Sequence, residues 1–549
     1  VSQGEFSFAE GTTPLKIAGL NAQLTGTLPD YQLNLNGNVE GLNHIPKTKI
    51  NVVGRGKLYE ISAEQAKLSA LNGFIELTGF IRWKDGLQWQ SEATLNNMNI
   101  RPYLPEMPAI LSGTLHSQGL INETAEEINI PQLALNGTLS QRPFSLNGSF
   151  FLNHGQLNIP ALTLTYGENK ASAQGRLGDH SNFKFDINAP HLTGLWDDLS
   201  GALSGVGNIS GPMTTPLIRL ELFSPKLHFH TLNLNNASAK GDIDAQNLLA
   251  GDISFSVERL QYGEDVALSD LKIKAFGNET NHQLTLQSRG TPVAPNFKIS
   301  GKFDRTLMQW QGSINDVHIA SLLGEFKTNQ PLMANYDDTQ TLATINAHCW
   351  QNNDIDVCFP QRFKVGLNGE IPFEIKKIDL ALVNKLIERE TLQGRLQSVG
   401  KVAWFTDKPL QLSMDVQGAN LGVAHKLDYR TFALTISTLS LNAEVQNNNL
   451  ALKSDLHIQN QGRINADINV KDLAKTRLLN GNLSIAGLNL SLINQLLAYD
   501  EAVNGNIESA LTFGGSLEKP TLSGRFEINH LRSKLRSAPA EITNGNIDV

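Results

Sequence analysis

The feature that most constrains this chain is a period-two alternation of apolar and polar residues that runs along almost its whole length. Leu33, Leu35 and Val39 alternate with Asn34, Asn36 and Asn38; Phe183, Phe185 and Ile187 alternate with Lys184, Asp186 and Asn188. Ile464, Ala466, Ile468 and Val470 alternate with Arg463, Asn465, Asp467 and Asn469. Successive side chains of a strand point to opposite faces, so each stretch makes a strand with one apolar and one polar face. A phrase of Pro, any residue, apolar, any residue, apolar recurs at Pro29–Leu33, Pro131–Leu135, Pro160–Leu164 and Pro216–Leu220, and in weaker form at Pro520–Gly524. It places each proline at the first position of a strand, where the missing N–H costs least.

Strands at intervals of 8–12 residues give roughly 35–45 of them. A chain of 549 residues exceeds what one hydrophobic core normally reaches. No linker rich in Pro, Ser or charge divides it into separate sandwiches. The reading is one elongated β array over residues 1–549, with residues 327–362 a polar, loop-rich insertion. Some runs change phase. Leu227 and Phe229 are odd-numbered while Leu232 and Leu234 are even, and the apolar set of Phe432–Val445 shifts from even to odd near Ser437. Each shift needs a tight turn or a bulge to hold one face inward. Short helices are expected over Leu192–Leu199, Ile319–Phe326, Leu380–Glu390 and Leu490–Ala502. In the last, Leu492, Ile493, Leu496 and Leu497 have the spacing of an amphipathic face.

Charged residues are 18% of the chain, the net charge is −8, and basic residues are scattered. Nucleic-acid binding needs a concentrated basic patch, so that class is set aside. No apolar run approaches the roughly 18 residues of a membrane-spanning helix, and no signal peptide is visible after Val1. Aromatic residues are only 7%, which disfavours an outer-membrane barrel with its aromatic girdles. The irregular repeat length also disfavours a secreted solenoid adhesin or carbohydrate-active enzyme.

The two cysteines, Cys349 and Cys358, lie in a segment rich in Asn and Asp that reads as a long loop. A disulfide there would close a small ring worth about 2.7 kcal/mol. Two free thiols and a metal site are the alternatives, the latter weak because only His348 is adjacent. His228 and His230 would share a strand face, but without a third ligand they read as a solvated pair. Gly205-Val206-Gly207 does not run from a strand into a helix and fits a strand better than a phosphate cradle. No nucleophile-elbow, metalloprotease or Cys-x-x-Cys motif occurs. The reading is not an enzyme, with no cofactor and no metal.

What remains is collective. Many strands carry an apolar face, and few segments are left to cover it. A sheet that curls on itself hides that face, as a filled core if the curl closes and as a long apolar trough if it does not.

The alternating β segments, the recurring Leu-Ser-Gly strand start at Leu111–Gly113 and Leu199–Gly201, and Gly-x-x-x-x-Pro-x-Leu-x-Gly at Gly515–Gly524 resemble the TamB family within the AsmA-like group of Gram-negative envelope proteins. His348–Pro360, with its Cys-Trp and Cys-Phe pairs, looks like the cysteine pair of that family. The resemblance implies a mainly β fold, a long curled, taco-like antiparallel sheet with a few short helices and an apolar interior. It implies a periplasmic conduit for phospholipids between inner and outer membranes, or alternatively a scaffold or chaperone that assists assembly of autotransporters and other outer-membrane proteins. Members carry an N-terminal inner-membrane anchor and a C-terminal domain that engages the outer-membrane barrel TamA. Neither is found here, so the chain reads as a periplasmic middle portion. At about 4.8 Å per strand, 35–45 strands would extend about 170–210 Å.

On this reading the groove is lined by Leu33, Leu35, Leu162, Leu164, Phe183, Phe185, Ile187, Phe255, Val257, Leu284, Leu286, Leu434, Ile436, Ile464, Ile468 and Val470. A sixteen-carbon acyl chain exposed to water costs roughly 13 kcal/mol at 0.8 kcal/mol per methylene, and an apolar trough would remove most of that.

Overall fold

The computed structural model describes residues 4–8, 15–40, 46–103, 108–246, 249–385, 387, 390–427, 430–538 and 540–549. Among these, 38 strands and two short 3-10 segments form, so the mainly β, antiparallel fold class is borne out. The chain divides into two compact units, Val1–Asn278 and Glu279–Val549.

The first unit is a meander in which strands pair antiparallel with their sequence neighbours, as Asn169–Leu177 does with Gln156–Tyr166 and Ser181–Ala189, except that Ser181–Ala189 pairs past the short strand Leu199–Gly201 with Leu203–Gly211, and Leu199–Gly201 pairs with Leu217–Phe229. Leu227 faces Leu234 and Phe229 faces Leu232 across the turn at His230-Thr231, so the odd-to-even change is a tight hairpin turn. The expected strand-opening prolines divide into two kinds. Pro29 and Pro216 directly precede strands Asp30–Glu40 and Leu217–Phe229, and Pro520 opens its own. Pro131 and Pro160 instead sit inside strands Glu126–Leu139 and Gln156–Tyr166. The register shifts at both, so each proline occupies a bulge, where the ladder does not require its N–H.

In the second unit the ladder splits and rejoins. The two halves of Gln309–Ser321 pair with different short strands, Gly324–Thr328 and Leu332–Asp337. One lane continues through His348–Gln351 and Ile355–Phe359, the other through Leu342–Ile345 and Phe363–Val365. Both meet Gly369–Asp379. The segment expected to be loop-rich is therefore built of short strands whose turns hold its Asn and Asp residues; Asn352 Oδ1 accepts the backbone N–H groups of Asp354 and Ile355. Beyond the rejoining point the meander is regular. The phase change near Ser437 is a bulge: the register shifts between Ile436 and Thr438 against the following strand. In the preceding strand the inward set changes from Gly418 to Leu421 across Asn420, which adopts a left-handed φ of 52°, a conformation asparagine tolerates. Facing extra residues on both strands keep one apolar face.

The helix expectations need correction. Leu192–Leu199 forms turns, with Gly194 at φ 83° and isolated bonds from Leu195 N–H to Leu192 C=O and Leu199 N–H to Trp196 C=O. Ile319–Phe326 is a hairpin in which Ile319 faces Phe326. Both segments have apolar residues at helical spacing, but strand pairing takes up their backbone or a glycine breaks the turn. Leu380–Lys385 and Leu490–Leu496 are 3-10 segments, shorter than the helices expected there.

A two-faced apolar sheet

Strand register converts the alternation into rows that cross many strands on one face. In the first unit one row runs Ala22, Leu35, Val52, Ala66, Leu77, Ala93, Leu115, Leu133, Gly148, Leu162, Ala173, Phe185, Gly207, Leu220, Gly241, Ile253 and Ala275. Each residue is the register partner of the next, and none has a polar side chain. A second row beside it, from Gly37 through Ile50, Leu68, Ile75, Leu95, Gly113, Leu135, Leu146, Leu164, Ala171, Ile187, Gly205, Leu222, Ala239 and Phe255 to Ile273, is equally apolar. The first row makes sixteen strand-to-strand steps, about 75 Å at roughly 4.8 Å each.

In the second unit Phe373, Gly400, Met414, Ala443, Leu452, Ile468, Gly481, Phe513 and Leu522 form such a row. Ile464 belongs to a neighbouring row with Leu439, Leu456 and Ile485, and Val470 to one with Val445, Leu450 and Leu479. Leu434 faces Val423; Ile436 faces Leu421 and Ile458. Leu284 continues into Ile299, Ile314 and Leu332, and Leu286 faces Phe297.

The apolar face is only partly covered. Of the sixteen groove candidates only Val257 and Val470 are buried, each 2% exposed; the other fourteen are half-buried. The chain leaves 33138 Å² accessible, whereas a close-packed globule of 60.0 kDa exposes about 19,000 Å². A sealed core would bury these Leu, Ile and Phe side chains fully. Leu35, Leu162 and Phe185 share the first row, and Leu164, Ile187 and Phe255 the second. Leu33, Phe183 and Val257 lie two residues along the same strand faces. Sequence reasoning missed most of their partners. Leu220, Leu222 and Ile253 carried the same alternation signal, but Gly148, Gly207 and Gly241 carry no hydrophobic signal and become row members only through register.

The opposite face is mainly polar, with Val53, Val206, Phe223, Phe276 and Val399 exposed among its charges. Cross-strand ion pairs stud it: Lys67–Glu76 at 3.2 Å, Arg219–Asp242 at 3.1 Å, Lys240–Glu221 at 3.4 Å and Lys401–Glu370 at 3.2 Å. Arg82 donates from Nε and Nη2 to Glu60 Oε2 at 2.9 and 2.6 Å and holds that carboxyl below its usual range. A depression of about 560 Å³ is lined by Leu162, Ala173, Phe185, Gly207 and Leu220 of the first row together with Lys184, Asp186, Arg219 and Glu221, and one of about 490 Å³ by Ala66 and Leu77 together with Lys67, Glu76 and Glu92.

Cys349 and Cys358 face each other across the hairpin of His348–Gln351 and Ile355–Phe359, with Cα atoms 3.9 Å apart and sulfurs at disulfide distance. Asp356 lies beside them, but sulfurs bonded to each other offer no thiolate to a metal. His348 is buried against Phe359, Phe363 and Trp350, with Nδ1 2.8 Å from the Asn346 carbonyl oxygen. Burial holds its pKa below the usual value, and the Asn346 bond opposes this only partly. His228 and His230 have separate partners, Asn233 Oδ1 at 2.7 Å and Asp198 Oδ2 at 3.3 Å, so they do not converge as a metal pair. Among the described residues no helix is long and apolar enough to cross a membrane.

Each unit is an antiparallel sheet with apolar rows on one face and ion pairs on the other, which defines a class of proteins built from long β meanders. The comparisons with known proteins place it further. The family described as "TamB, N-terminal domain" matches residues 6–528. A curated relative from Haemophilus influenzae, "Translocation and assembly module subunit TamB", is 48% identical over 548 residues, covering 100% of this chain and 42% of the relative. The chain belongs to the TamB family, and it spans about two fifths of that relative's length.

Proposed function

We propose that this chain is part of a non-enzymatic conduit that carries phospholipids between the inner and outer membranes of a Gram-negative envelope. Acyl chains lie along the apolar rows while headgroups remain in solvent. The observation that carries the reading is the uninterrupted apolar register from Ala22 to Ala275, with its large side chains left partly exposed. A structure that needed only a stable sheet would gain by burying them, since each buried Leu or Phe contributes about 1.5–3 kcal/mol. The full-length protein would sit in the periplasm, anchored in the inner membrane. It would meet the outer-membrane barrel TamA through a region outside these residues; the relative's name, a subunit of a translocation and assembly module, supports such a partner.

The test is mass spectrometry of lipid extracted from the purified protein carrying photo-crosslinkers at Phe185 and Ile436. Phospholipid adducts at both positions support the conduit. A lipid-free protein without adducts overturns it and favours a scaffold for assembling outer-membrane proteins, which needs strand edges rather than an apolar face.

A further inference from the structure

Five of the glycines on the apolar face, Gly56, Gly119, Gly207, Gly369 and Gly400, lie outside the left-handed region and beneath an aromatic ring, so backbone conformation gives no reason for glycine at any of them. Each is the register partner of an aromatic residue on an adjacent strand, respectively Tyr31, Trp89, Phe185, Trp404 and Phe373. A methyl group built on any of these glycines would overlap that ring; on Gly207 it would meet Cε1 and Cζ of Phe185. The glycines are there for space: each ring lies down across its neighbour's Cα instead of standing up from the sheet. Covering a strand glycine with a cross-strand ring also protects the backbone. That accounts for the pairing but not for its restriction to the face where a raised ring would obstruct a passing chain.

We propose that Gly207 is a positioning residue that sets the depth of the groove by letting the Phe185 ring lie flat. The two form a level floor between Leu162 and Leu220 in the same row, over which an unbranched acyl chain slides. The inference rests on the conduit reading and adds to it a specific determinant of passage. Phe185 has Phe183 as its aromatic neighbour on that face, with centroids 6.5 Å apart, and Leu162, Ala173, Phe185, Gly207 and Leu220 line a depression into which a ring lifted at Phe185 would turn.

The experiment uses the full-length protein in cells, with photo-crosslinkers placed singly at Leu35, Leu162 and Leu220. Gly207→Ala is compared with Phe185→Ala and with the double variant, and protease resistance reports the fold. The expected result is a fall of about tenfold in phospholipid adducts at Leu162 and Leu220 in Gly207→Ala, the scale of an overpacked contact. Adducts at Leu35 persist, and removing the ring in the double variant restores the other two. A role confined to stability would lower adducts at all three positions together with protease resistance, and that result overturns the proposal. Unchanged adducts in Gly207→Ala overturn it too. Should Gly207→Ala fail to fold, the double variant decides: normal adducts support the floor, and reduced adducts in a folded double variant overturn it. Absence of adducts at every position in the unsubstituted protein would instead refute the conduit reading itself.

Discussion

Ile187 is the place where one charge should do most to a moving acyl chain. In the second row it stands between Ala171 and Gly205, and the next large side chains are Leu164 and Leu222. It is therefore the only bulky apolar side chain of its row over four strand steps, roughly 19 Å. An aspartate at the centre of a bilayer costs about 2.5–3.5 kcal/mol. On the conduit reading the trough is open to water along one side, so about half of that, ~1.5 kcal/mol, would oppose a methylene chain at this point, slowing passage about tenfold. Losing the isoleucine should cost the fold only about 1 kcal/mol, since no more than part of its surface is buried. Asp186 supplies the control, because it projects one residue away onto the exposed polar face of the same strand. Exchanging the two residues keeps composition and strand length while moving the charge from one face to the other. The assay is arrival of pulse-labelled phospholipid in the outer membrane of cells whose only source of the protein is the variant. Ile187→Asp and the exchange should both slow arrival about tenfold, and Asp186→Asn should not. Normal arrival in a folded Ile187→Asp protein would refute the argument that lipid follows the apolar rows.

Three further outcomes follow from the packing. Cys349→Ser with Cys358→Ser should destabilise the hairpin around His348 by about 2.7 kcal/mol through the freed loop, read as faster hydrogen exchange in Ile355–Phe359. His348 has its pKa lowered by burial, so the unfolded hairpin binds the proton more readily; its contribution to stability is complete above the ordinary histidine value and is lost as pH falls below about 6.5. Protection from hydrogen exchange, taken relative to the base-catalysed intrinsic rate at each pH, should be weaker at pH 5 than at pH 7, and His348→Phe should remove the difference. Asn169 donates to the His191 carbonyl at 2.6 Å and accepts from its N–H at 2.9 Å, so Asn169→Ala leaves a backbone pair unmatched. It should cost about 1–3 kcal/mol and increase proteolysis within residues 190–198.

Much of the fold was legible because a strand with one solvated face writes its geometry directly into sequence. Leu33 to Val39 and Phe183 to Ile187 show it without ambiguity, and their polar alternates are the exposed residues. The phase changes were legible for the same reason: a chain that must keep one face apolar reveals each turn or extra residue, as at His230 and Ser437. Short-range patterns failed where two structures satisfy the same spacing. Leu192–Leu199 and Ile319–Phe326 have apolar residues three and four apart, which a hairpin or a run of turns accommodates as readily as a helix when neighbouring strands claim the backbone. Pro131 and Pro160 misled because a proline at a bulge and one at a strand start precede the same alternation. The cysteine segment looked like a loop because composition reports its turns and not the four- and five-residue strands between them.

The apolar rows were legible residue by residue but not as a surface. Alternation assigns Phe185 to the apolar face, yet it cannot say that Ala173 and Gly207 are its partners or that Leu162 and Leu220 complete the row. Those relations depend on register, and register depends on hairpin lengths and bulges accumulated over many strands. The row survives sixteen steps only because each bulge is absorbed without exchanging faces, as at Pro160, where the pairing passes from Ile159–Gly175 directly to Leu162–Ala173. A deletion of one residue inside such a strand would be a sharper perturbation than any single charge, because it would turn every side chain beyond it to the other face. Deleting Gln174 would leave Gly175–Leu177 in place and move Lys170 and Ser172 onto the apolar face, Ala171 and Ala173 onto the polar one. If apolar continuity is what the sheet is built to preserve, that deletion should abolish lipid adducts at Leu162, whereas Gln174→Ala, which keeps the strand length at the same exposed position, should leave them intact.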